Sequence, residues 1–235
     1  MITIRKATER GSTRMGWLTS YHSFSFNRYY DPEHVHFGPL RVLNDDFVAP
    51  GTGFGMHPHD NMEIITYVLS GEVEHRDSTG THSVIRAGDV QRMSAGTGVV
   101  HSEYNRSTDE ELHLLQIWLL PYKRGLAPSY DQRSFDAARR RNTLLRVVDG
   151  DSRGDALTMH QHASMFVSAL ENGKTVEHAL DPGRGAYLFI AAGTASANGV
   201  QLEEGDAVMV RDEAILAVSA TQDAELVLFD LPMDE

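Results

Sequence analysis

The stretches GTGFGMHPHDNMEIITYVLSG (residues 51–71) and GVVHSEYN (residues 98–105) decide how this chain is read. Both are short extended runs bounded by glycine and asparagine, as strands are. Side chains two apart on a strand share a face, so His57 and His59 point one way, as do His101 and Glu103. Two such strands facing each other supply three imidazoles and one carboxylate. Neutral imidazoles with a carboxylate and no thiolate suit a divalent transition metal (iron, copper, nickel, manganese or zinc) and suit calcium or magnesium poorly. On an octahedral ion this set leaves positions open, and open positions are where chemistry happens. The alternative, histidines that only satisfy one another in a core, must gather all four residues by chance, whereas a metal accounts for them together.

Composition narrows the rest. The 235 residues are 41% hydrophobic, enough for one large or two small cores. With no cysteine, disulfides, zinc ribbons, iron–sulfur clusters and thiol nucleophiles are excluded, so a metal must rest on His, Asp or Glu. The net charge of -12 opposes attraction to phosphate backbones, and no direct nucleic-acid binding is expected. The one basic run, Arg139–Arg141, ends an expected helix, SFDAARRRN, and reads as solvent-exposed cations at a helix C-terminus. The first residues carry no apolar signal region and no run is long enough to span a bilayer, so the expectation is a cytoplasmic protein with no membrane contact. The glycines of GTGFG and AGTGVV read as turns, since neither stretch has the lysine and long helix of a phosphate-binding loop.

Short apolar runs separated by Gly, Asp and Asn recur throughout, as in EIITYVLSG, THSVIRAGD and LHLLQIWLLP, and imply an all-β chain. The segment PYKRGLAPSYDQRSFDAARRRN is charged and proline-containing, which places a junction between Pro121 and Asn142. Beyond it the plan repeats: Gly193 answers Gly71, Gly205–Asp206 answers Gly88–Asp89, and Pro232 answers Pro121. Only His178 falls near the place of the HxH pair, and Ile215–Ala217 near that of His101. The expected domains are therefore a metal-binding barrel over residues 1–121, a linker with a short helix over 122–145, and a C-terminal barrel over 146–235 that has lost the metal site.

Two motifs carry a resemblance. The first runs from Gly51 through His57-Pro58-His59 and Glu63 to Gly71, and the second from Gly88 through SAGTGVVHSEYN to Asn105. Together with GWLTSYHSFSFNRYYDP and LRVLNDDFVAPGTGFGMHPH they resemble the bicupins of the pirin family over essentially the whole chain. The resemblance implies two tandem cupin β-barrels of jelly-roll type. The usual first-motif glutamate of cupins would fall at Ile64, and Glu63 is displaced by one, which turns it to the other face. Pirins resemble this chain in that respect and take their carboxylate from the second motif, which implies Glu103 as fourth ligand. Glu63 is then an outer or ion-pairing residue, or a strand carboxylate facing solvent or an arginine.

The implied activity is that of a quercetin 2,3-dioxygenase: cleavage of a flavonol with dioxygen and loss of carbon monoxide, on iron or a similar ion. Glu103 would be both ligand and catalytic base for the 3-hydroxyl proton. A second function implied by the family is a non-catalytic, metal-dependent regulatory protein acting through protein partners. A pocket open above Glu103 favours the first, and a closed one the second. A sugar isomerase would want more Lys, Arg and Glu in the barrel than these strands offer.

Of the aromatic and methionine residues able to line such a pocket (Trp17, Phe24, Phe26, Phe47, Phe54, Met56, Met62, Met93), the ones expected to do so are Phe47, Met56 and Met93, on or beside ligand-bearing strands. His34, His36, His160 and His162 also show HxH spacing but lack a second motif, and read as solvated. His22 and His113 read as core or interface histidines.

Overall fold

Along Leu40–Val48, Glu63–Ser70 and Leu112–Leu119 the side chains divide into two unlike sets. One face carries Leu43, Ile65, Tyr67, Leu115 and Ile117, all buried in a large apolar cluster. The other carries Asn44, Asp46, Thr66 and Gln116, polar yet buried, beside Val48, Val68 and Leu114. Period-two alternation normally puts the polar face in water. Here both faces are covered, so the polar set must face something inside.

The computed structural model, which describes residues 1–233, shows what covers each face. These strands form the centre of a seven-stranded antiparallel sheet, flanked by Ser129–Ser134 and Asp89–Ser94 on one side and by Leu18–His22 and Gly11–Arg14 on the other. A four-stranded sheet of Gly53–His59, Val99–Asn105, Glu72–Asp77 and His82–Arg86 packs on the polar side. The C-terminal half repeats the plan, with a seven-stranded sheet around Arg184–Ala192 and Ala224–Pro232 and a four-stranded sheet ending in Val200–Glu203. The two large sheets pack face to face through Leu43, Ile65 and Ile117 against Val167, Phe189 and Phe229. Each such side chain contributes about 1.5–3 kcal/mol by leaving water.

Each half has the jelly-roll architecture expected, in the form of a sandwich of two sheets: among the described residues no strand pair joins a four-stranded to a seven-stranded sheet. The strands also cross the expected divisions. Ile2–Arg5, at the start of the chain, pairs with Ala207–Arg211 in the C-terminal half, and Ser129–Ser134, placed in the linker, completes the N-terminal sheet. The helix is a single turn, Ala137–Arg140, capped by Asp136, whose carboxylate accepts the Ala138 N–H at 2.8 Å.

The basic run is only partly solvent-facing. Arg139 and Arg141 make exposed ion pairs with Asp155 and Glu171, but Arg140 turns inward to Glu225 and Tyr67, tying the two halves together. No helix among the described residues is long and apolar enough to cross a membrane.

Candidate metal centre and its cavity

Gly53–His59 and Val99–Asn105 are hydrogen-bonded neighbours in one sheet, not the facing pair that spacing suggested, and His57 lies directly opposite His101. Opposite the step from His101 to Glu103 the strand Gly53–His59 carries one extra residue, while Val99–Asn105 stays in unbroken register with Glu72–Asp77, so His101 and Glu103 keep one face. Ring centroids stand 4.4 Å apart for His57 and His101, 4.9 Å for His59 and His101, and 4.8 Å for His57 and His59. One ring nitrogen from each of the three lies within 4.8 Å of the others. The arrangement brings together His57, His59 and His101, and Glu103 joins His101 in a second cluster.

The donor chemistry fits a divalent ion. His57 Nδ1 sits 2.7 Å from the Gly55 carbonyl and donates to it, which leaves Nε2 with a free lone pair. His101 is wholly buried and neither ring nitrogen has a hydrogen-bond partner, an arrangement that costs free energy unless something binds there. Burial, reinforced by the neighbouring histidines, pushes His59 down to about 4 and His101 to about 3, so both are neutral at pH 7 as ligands must be. Glu103 reaches across to the large sheet, where its carboxylate accepts from Thr66 Oγ1 at 3.0 Å and Gln116 Nε2 at 2.7 Å.

A fifth residue escaped the sequence reading. His75, in EVEHRD, pairs in register with Glu103, is fully buried, and has a nitrogen within 4.8 Å of donor atoms of His101 and Glu103. Its Nε2 contacts Asp77 at 3.0 Å and its Nδ1 has no partner. Asp77 also accepts from Thr79 and Thr81, which outweighs burial and holds its carboxyl at about 2. The available signal was the same i, i+2 spacing, His75 with Asp77, on a strand next to the second motif.

Above the ligands opens a cavity of about 290 Å³, reaching His57, His59 and Glu103. One wall is aromatic: Trp17 meets Phe54 edge-on at 5.1 Å, and Phe26 meets Trp118 at 5.4 Å. The other is polar, from Thr13, Ser20, His22, Asn44 and Asp46. Asp46 is buried, and this desolvation, opposed by the Ser20 hydroxyl and aided by Asp45 and Glu103, raises it to about 7.

None of Phe47, Met56 and Met93 lines this cavity. Phe47 alternates with Asp46 and so faces the other way, stacked on His113 at 4.0 Å. Met56 alternates with His57 and points to solvent, 61% exposed. Met93 points inward but is packed away against Ile64, Ala95 and Val99. His22 belongs to the polar wall, held by Asn44 and Thr13 at 2.8 Å each.

The remaining residues lie elsewhere. Glu63 is buried, accepting from Ser94 Oγ at 2.8 Å and the His160 N–H at 3.2 Å, so neither is free in solvent. His34 pairs with Asp31, His36 with the Gly38 carbonyl, His113 with Asp45, and His162 is exposed. His178 contacts Asp230 at 2.8 Å, and no metal-ligand cluster occurs in the C-terminal half among the described residues. His178→Ala is accordingly expected to leave metal content unchanged by elemental analysis, and a loss would mean the second sandwich takes part.

Acid should expose the neutral histidines thermodynamically. Histidines unfolded titrate near ~6.5, and His59 folded at about 4. Its contribution is therefore present above ~6.5 and lost as pH falls through about 4. Asp46 acts oppositely, its contribution fading as pH rises through about 7. The readout is thus a difference: metal-free His59→Gln should gain stability relative to wild type between pH 6.5 and 4, by urea midpoint. A pH-independent difference would contradict the burial argument.

Comparison with known proteins finds relatives over the whole chain. The family model described as Pirin matches residues 3–119, and that described as the quercetinase C-terminal cupin domain matches 146–231. A protein of Escherichia coli (strain K12) named quercetin 2,3-dioxygenase is 45% identical over 232 residues, covering 99% of each chain. The crystal structure of YhhW from E. coli superposes with a TM-score of 0.96 at 44% identity, covering 100% of this chain and 99% of that one. A second structure, of bacterial pirin YhhW from E. coli in complex with nickel(II), gives 0.94 at 44% identity over 99% of each chain.

Proposed function

The chain belongs to the pirin family, and from that premise we propose that it is a metal-dependent dioxygenase that cleaves a flavonol of the quercetin type, with His57, His59, His101 and Glu103 as ligands to one divalent ion, most simply iron. The observation that carries the proposal is the cavity: it is open, walled by aromatic rings, and reaches Glu103 and two of the histidines. A regulatory module needing the metal only for structure has no use for such an opening.

When bound, the ion supplies a Lewis acid that lowers the pKa of a substrate hydroxyl and a redox-capable centre for dioxygen. The chain supplies the rest. Trp17, Phe26, Phe54 and Trp118 give a flat aromatic substrate apolar contact and exclude water from around it. Glu103 takes the proton of the 3-hydroxyl. Thr66 and Gln116 each donate to one of its oxygens, fixing the carboxylate plane while leaving lone pairs for proton and ion. His57, held through Gly55, keeps the tautomer a ligand needs.

The test is dioxygen uptake on addition of quercetin by protein stripped with a chelator and then reloaded. The expected result is no uptake when stripped and recovery on reloading. Uptake indifferent to metal would refute the assignment.

A further inference from the structure

The polar wall of the cavity is not self-sufficient. His22, Asn44 and Thr13 satisfy one another: Asn44 Oδ1 accepts from His22 Nδ1, so His22 Nε2 is the acceptor for the Thr13 hydroxyl. Asp46 is only half met, by the Ser20 hydroxyl. It lies on the inward face of Leu40–Val48, is 2% exposed, and its Oδ1 has no hydrogen-bond partner. Among the described residues no lysine or arginine lines the cavity to neutralise it. A buried carboxylate oxygen left unmet is destabilising, and its presence at a cavity wall marks where a ligand donor belongs. The cavity thus sets an unmet acceptor beside aromatic walls, the complement of a hydroxylated aromatic compound.

We infer that Asp46 is a specificity-determining residue of this cavity, its carboxylate receiving a phenolic hydroxyl of an aromatic ligand that lies against Trp17, Phe54 and Trp118. This rests on the aromatic-substrate reading above and adds the group that selects among aromatic compounds. A site built to receive a hydroxyl rejects the analogue lacking it, because the acceptor is then left desolvated and unpaired.

The chain has two tryptophans, and both line the cavity, so their fluorescence reports its occupancy. Quercetin and unsubstituted flavone share the carbonyl and ring oxygens and differ in hydroxyls. Each is titrated without dioxygen into metal-loaded wild type, Asp46→Ala and Asp46→Asn. Wild type should prefer quercetin. Asp46→Ala should weaken quercetin by roughly 10- to 100-fold while leaving flavone unchanged, and Asp46→Asn, which keeps an acceptor oxygen, should fall between. Equal weakening of both compounds, or no change in either, overturns the inference. If Asp46→Ala does not melt cooperatively, the isosteric Asp46→Asn is judged by the same criterion. Wild type that binds neither compound overturns the aromatic-substrate reading itself, a failure distinct from binding that ignores Asp46.

Discussion

Protein carrying His57→Ala and His101→Ala together should emerge from purification essentially metal-free, where wild type carries close to one ion per chain. The two residues lie opposite each other on paired strands, and removing both takes half of a four-ligand set. Four-ligand protein sites bind with about 10–16 kcal/mol, so losing two ligands should weaken affinity by roughly a thousandfold or more. The fold should survive the change. His101 brings two unmet buried nitrogens into the metal-free protein, so replacing it removes a cost as well as packing. Elemental analysis and chelator competition read the result. Full occupancy in the double variant would show that the ion sits elsewhere, on His75 and Glu103 or outside the sandwich.

Glu103→Gln should separate binding from chemistry. The amide keeps the size and one oxygen but cannot take up a proton. Metal should still load at high concentration, while turnover at matched loading falls on the order of 100- to 10,000-fold, the usual contribution of a general base. The buried surroundings sharpen this expectation, because Thr66 and Gln116 are oriented to donate to a carboxylate and the new amide presents Gln116 with a second donor. Near-wild-type consumption of quercetin by the loaded variant would remove Glu103 as the base.

What could be read from the sequence follows from how far each signal reaches. The i, i+2 histidine pair and the His101–Glu103 pair are local patterns, and the structure gathers the three histidines, with Glu103 beside His101, because a strand fixes which face a residue takes. The cavity residues carry no such local mark. Phe47, Met56 and Met93 lie on or beside the ligand strands, yet two of them alternate with site residues and so turn away from the site, while Met93 packs beneath it. The wall is built instead by Phe54 on the ligand strand and by Trp17, Phe26 and Trp118 from other segments. One pattern did point there. Asn44, Asp46, Thr66 and Gln116 are buried polar positions on one face of strands covered on both sides, and that face is the one turned to the site.

The most direct test of the central claim is the stoichiometry of the reaction. Metal-loaded wild type supplied with quercetin in a closed vessel should consume dioxygen and release carbon monoxide in amounts equal to the flavonol lost, with chelator-stripped protein doing neither. Metal-replete protein that leaves quercetin intact, or that consumes it without releasing carbon monoxide, would contradict the account and return the cavity to a binding role.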